Sequence, residues 1–174
     1  MWHASSSLFE LAEEHGEQNT DAYMGSLVFA AFTLEAHLNH LLKVLFQCWE
    51  DLQQLRPKEK LNLIAEKLGT EIRYGERPWQ TINDLFKVRN AIAHGKPITL
   101  RMTLEDPEAE FTEDQAREEL ETIWESSCTQ ANVERARTDV ERILRELHTK
   151  AGVPGEGPFS PGQQFIKITE TEEE

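Results

Sequence analysis

LVFAAFTLEAHLNHLLKVLFQCWEDL, Leu27 to Leu52, is the stretch on which the fold turns. Leu27, Ala31, Leu34, Leu38, Leu41, Leu45, Trp49 and Leu52 recur at intervals of three and four. That spacing puts them on one stripe of an α-helix. Asp21 is placed to open the helix, and Pro57 stops it near Arg56, because the residue before a proline is pushed out of the helical region. Glu35, His37, Asn39, His40 and Lys43 interrupt the apolar run. The segment therefore reads as a buried amphipathic helix and not as a membrane span.

Helical signals continue on both sides. Ser5 to His15 forms a short helix, with Ser5, Ser6 or Ser7 as N-cap, and Gly16 to Thr20 is a break. Pro57 at a first-turn position starts a helix over Lys58 to Leu68, which Gly69 closes. Thr70 to Arg77 is a loop, and a further helix runs from near Pro78 to His94. Pro97 to Thr103 alternates and is rich in β-branched residues, so it reads as extended. Thr112 with Gln115 three residues on resembles a capping box that opens a helix over Glu113 to Ser126. The last helix spans Thr129 to Lys150, with Val133, Val140, Ile143, Leu144 and Leu147 as its apolar positions and Gly152 as its stop. Val153 to Glu174 is Pro/Gly-rich, then acidic, and reads as a flexible tail in which QFIKIT (164–169) alternates. The expectation is an all-α, up-and-down bundle of four to six helices over residues 1–152, followed by a disordered acidic tail over 153–174.

Composition narrows the function classes. The 174 residues suit one domain with a real core. The net charge is −14, of which the last 24 residues supply −4, so the body is acidic in its own right. Such a surface repels nucleic acid at long range, and any RNA contact has to be local. Cys48 and Cys128 lack CxxC spacing, which favours free thiols in a reducing compartment, with a single disulfide as the alternative. No basic segment followed by an apolar run begins the sequence, so the cytoplasm is the expected location, with no membrane partner. No HExxH, Cys/His cluster, paired-carboxylate motif or nucleotide-binding Gly-rich loop is present, and no metal or cofactor is expected.

The chemistry-bearing stretch is LFKVRNAIAHGKP, Leu85 to Pro97. Arg89 has Leu85 and Phe86 behind it and Ile92 and Ala93 ahead, which places it on or beside the buried face. A guanidinium there needs a carboxylate or an anionic ligand. Gly95 and Pro97 end the helix, leaving His94 in its last turn, where the dipole favours an imidazolium. Arg89 and His94 are five apart and diverge by roughly 140°, so two copies about a symmetry axis aim both at one small target more easily than one copy does. Glu35, four residues from Asn39, either pairs with Arg89 and orients it or faces solvent. His37 and His40 read as polar positions on an exposed edge, and Lys58, Glu59 and Lys60 as a solvated face. Lys96 is placed to contact a phosphate.

The string RNAIAH, Arg89 to His94, resembles the Arg-x4-6-His motif of the HEPN superfamily, including the polar residue directly after the arginine. FTLEAHLNHLL, Phe32 to Leu42, is similar to the first long helix of those proteins, where an acidic residue and an Asn stand in an apolar setting. The resemblance covers roughly Tyr23 to Lys96. It implies a helical bundle, a homodimer, and metal-independent endoribonuclease activity at the dimer interface, as in a toxin or defence effector held by an antitoxin-like partner. It assigns Arg89, Asn90 and His94 to the catalytic site. The alternative is a non-catalytic dimeric module of the same type that binds a partner protein or a nucleotide.

Overall fold

The computed structural model describes residues 1–15, 19–94, 125–154 and 157–159. It is all-α, with six helices among the described residues: α1 (Trp2–His15), α2 (Thr20–Leu45), α3 (Trp49–Leu52), α4 (Pro57–Leu68), α5 (Gln80–His94) and α6 (Gln130–Lys150). The expected helix over 113–126, the extended stretch over 97–103 and QFIKIT lie outside the described residues. None of the described helices is long and apolar enough to cross a membrane. Cys48 is exposed, Cys128 is buried, and both are free thiols.

The long helix is the hub, touching α1, α3, α4, α5 and α6. Leu34, Leu38 and Leu41 are completely buried, and so are Ala30 and Ala31. A helix enclosed on most sides needs apolar residues beyond a single stripe, and the run from Leu27 to Leu42 supplies them. It is shorter than the periodicity predicts. The chain leaves α2 at Phe46, whose backbone is extended at φ −131°, and re-enters helix for one turn in α3. The break lets Phe46, Trp49 and Leu52 fold back against the core rather than project along the α2 axis. Lys43 lies over the Trp49 ring and Lys67 over the Phe46 ring, so the corner is covered by cations on aromatic faces.

Small residues bring α1 close to α2. Ser5 and Ser26 are fully buried and exchange hydrogen bonds, each hydroxyl donating to the other's carbonyl at 2.9 Å. Ser5 is thus a mid-helix contact and not an N-cap, since α1 begins at Trp2. Arg137 of α6 donates to Ser5 Oγ at 2.6 Å and Ser6 Oγ at 2.8 Å, with its guanidinium over Trp2 and Phe9.

The stop and start signals of α4 and α6 fall where the sequence puts them. Pro57 is the first residue of α4, Arg56 N–H donates to Glu59, and Gly69 ends the helix in the left-handed region at φ 61°. Thr129 caps α6 by accepting from Asn132 N–H, and Gly152 follows it at φ 63°. Lys60 departs from its reading as a solvated residue. It is buried, and its ammonium donates to Asn39 Oδ1 of α2 at 2.7 Å. Beyond α6, Val153 and Phe159 pack against the core, and Phe159 stacks on Trp2 with ring centroids 4.5 Å apart. Residues 160–174 lie outside the described residues.

One polar anchor fixes α6 against the start of α5. Asp139, 2 % exposed, accepts from Arg77 Nε and Nη2, both at 2.9 Å, and from Thr81 Oγ1 at 2.5 Å. Asp139→Ala leaves the buried Thr81 hydroxyl without its acceptor and removes a charge-assisted pair. Urea unfolding is expected to show a loss of about 2–4 kcal/mol. Asp139→Asn, which keeps an acceptor for Thr81, loses less.

Candidate functional site

The site is assembled where α5 crosses α2. Val88, Leu85 and Ile82 seat α5 on the core, and this rotation turns the neighbouring Arg89 toward α2. Glu35 meets it there. The Arg89 Nη2 donates to Glu35 Oε2, an ion pair between residues 54 apart in sequence. The two side chains are 20 % and 28 % exposed, so each charge is largely withdrawn from water and depends on the other. Of the two readings open for Glu35, the pairing with Arg89 is the one observed.

Two aromatic rings frame the guanidinium. Its central carbon lies 5.9 Å from the Phe32 ring and 5.6 Å from the Phe86 ring. Phe32 is itself 39 % exposed, so one of the two rings beside the cation faces solvent. The Nη1 donates to Asn90 Oδ1 at 2.8 Å, which turns the Asn90 side chain back along the helix. The Arg89 Nε is buried and has no hydrogen-bond partner among the described residues. Arg89 carries five N–H groups, of which two are used by Glu35 and Asn90.

His94 is the last residue of α5 and is exposed. No hydrogen bond or ion pair joins it to Arg89 among the described residues. One copy of the chain therefore brings together Glu35, Arg89 and Asn90 and leaves His94 apart at the helix end. Lys96 lies outside the described residues. A separate groove between α5 and α6, lined in part by Thr81, Asp84, Lys87, Asn132 and Arg135, includes none of the motif residues.

The histidines differ from the sequence reading. His40 is exposed as expected, but His37 is buried. Its ring lies 5.5 Å from that of His148 on α6 and 5.9 Å from that of His40. Burial, followed by the nearby His148 and His40, pulls the His37 imidazole from 6.5 down to about 4. Burial likewise lowers His148. Nothing in the local pattern around His148 points to this cluster, because it arises from helices far apart in the chain. The three rings do not form a metal-ligand set, and no group of three or more His, Cys, Asp or Glu does so among the described residues.

A double-mutant cycle measures how strongly the pair is coupled. Glu35→Gln and Arg89→Gln each strand a partly buried partner, and each is expected to destabilise the fold by about 1–3 kcal/mol, less than for a fully enclosed pair. The double variant should recover about 1 kcal/mol or more of the summed loss. Strict additivity in chemical denaturation means that the contact contributes nothing.

Compared with protein-family models, curated proteins and solved structures, the chain gives no match.

Proposed function

We propose that the chain is a metal-independent endoribonuclease of HEPN type that works as a homodimer in the cytoplasm. The observation that supports this reading is the Glu35–Arg89 pair. It fixes a guanidinium on the same helix that ends in an exposed imidazole, with the intervening residues spelling RNAIAH. Fixed donors stabilise charge that develops during reaction without having to reorganise.

In this reading His94 takes the proton from a ribose 2′-hydroxyl. The 2′-oxygen attacks the adjacent phosphorus, and the bond from phosphorus to the 5′-oxygen breaks. Water gives a proton to the departing 5′-oxygen, so each site uses one His94. The products are a 2′,3′-cyclic phosphate and a 5′-hydroxyl. Arg89 donates to the non-bridging oxygens as negative charge grows there. Asn90 orients the phosphate or the imidazole, Glu35 positions Arg89, and Lys96 binds the neighbouring phosphate. A nuclease of this kind acts as a toxin or defence effector and requires a neutralising partner protein.

A second reading is favoured by two observations. Glu35 already neutralises Arg89, and the chain carries a net charge of −14. Both fit a non-catalytic dimeric module that binds a partner protein or a nucleotide through the same residues.

Incubation of purified protein with RNA separates them. The nuclease reading predicts cleavage that EDTA does not change, that yields cyclic-phosphate ends, and that fails on a strand carrying 2′-deoxyribose at the cut. Intact RNA after exposure to micromolar protein leaves the binding module.

A further inference from the structure

We propose that His37, His40 and His148 form an acid-sensitive latch: neutral imidazoles hold the C-terminal turns of α6 against α2, and protonation releases them. The inference is independent of any nuclease activity. It starts from three ring nitrogens that the fold shuts away from water with no partner among the described residues: Nε2 of His37, and both Nδ1 and Nε2 of His148. A neutral imidazole carries one N–H and one lone pair, whereas an imidazolium carries two N–H donors and a charge. Among the described residues the additional donor of an imidazolium meets no acceptor at this contact, and the charge meets other imidazoles 5.5 and 5.9 Å away. The arrangement tolerates the neutral state and penalises the charged one.

The groups that act on His37 reinforce this. His40 faces it from α2 itself and His148 from α6, and both oppose its protonation. The cations near this end of the bundle add no acceptor. Lys60 of α4 is turned to Asn39 Oδ1, and Lys150, the last residue of α6, is held by Glu146 at 3.2 Å and by Thr70 Oγ1 at 3.0 Å. The contact thus becomes increasingly positive as acid is added.

The direction follows from linkage. His37 titrates near 4 in the closed contact and near 6.5 once released, so the open form binds more protons below pH 6.5. Closure is complete above about 6.5 and weakens as the pH falls from there toward 4. From His37 alone, the opening equilibrium rises about twentyfold between pH 7 and pH 5. His148, lowered in the same sense, adds to it. Opening at this point also loosens the chain that follows α6, which returns to place Phe159 on Trp2 and under Arg145.

Native-state hydrogen exchange of the full chain, corrected for intrinsic rates, tests the latch. In the wild type, the amides of Ile143–Lys150 should lose protection about twentyfold or more between pH 7 and pH 5, while those of α4 lose far less. His37→Phe and His148→Leu should flatten that pH dependence. An equal fall in α4, or the same dependence in both variants as in the wild type, overturns the proposal. Titration of the wild-type histidine ring signals by NMR keeps it testable if a variant does not fold: a midpoint for His37 at or above 6.5 also overturns it.

Discussion

Replacing His94 by alanine is expected to lower the rate of RNA cleavage by about two to four orders of magnitude, the usual contribution of a positioned acid or base. The fold should not register the change. His94 is exposed, ends its helix, and has no hydrogen bond or ion pair to another described residue, so the stability difference should stay within about 0.5 kcal/mol. Initial cleavage rates alongside far-ultraviolet circular dichroism make the comparison. Wild-type rates from the variant would remove His94 from the chemistry.

Replacing Arg89 by alanine is expected to reduce cleavage by about a hundred- to a thousandfold, the range for loss of a preorganised donor to a developing oxyanion. Here stability falls as well, because the Glu35 carboxylate is left in a partly buried position with no cation. The two effects can be separated. Adding Glu35→Ala to Arg89→Ala removes the stranded charge and should return much of the stability while leaving cleavage at the level of the Arg89 variant. Arg89→Lys is a finer probe. An ammonium keeps the charge but lacks the planar fork that reaches Glu35 and Asn90 together, so its activity should remain well below wild type. Full activity with lysine at this position would mean that charge alone suffices.

The elements that the chain specifies locally were legible from the amino-acid sequence. Pro57 and Gly69 bracket α4, Thr129 caps α6, and the Leu27–Leu42 run predicts a helix that the core encloses. Each of the cap and stop signals acts within one helical turn of the residue that carries it. The Glu35–Arg89 pair was open in both directions. A charge beside an apolar stripe has to be either matched or solvated, and the spacing within one helix does not decide which. What periodicity missed shares one cause. His37, Lys60, Ser5 and Asp139 are all buried, and all are polar residues on helices that contact α2 or, for His37, on α2 itself. A helix at the centre of a bundle has little solvent face, so its polar residues are enclosed by neighbours that its own sequence does not encode. The early end of α2 has a related origin. The stripe continues through Trp49 and Leu52, but the core contacts of Phe46 and Trp49 favour a corner over two more turns of helix.

In the proposed nuclease, Arg89 of one copy and His94 of another serve the same phosphate. Mixing the Arg89→Ala and His94→Ala proteins, after unfolding and refolding them together, tests it most directly. Half of the resulting dimers are mixed, and each mixed dimer regains one intact Arg–His combination, so the mixture should recover about a quarter of wild-type cleavage. A mixture as inactive as either variant alone would contradict a site shared between two copies.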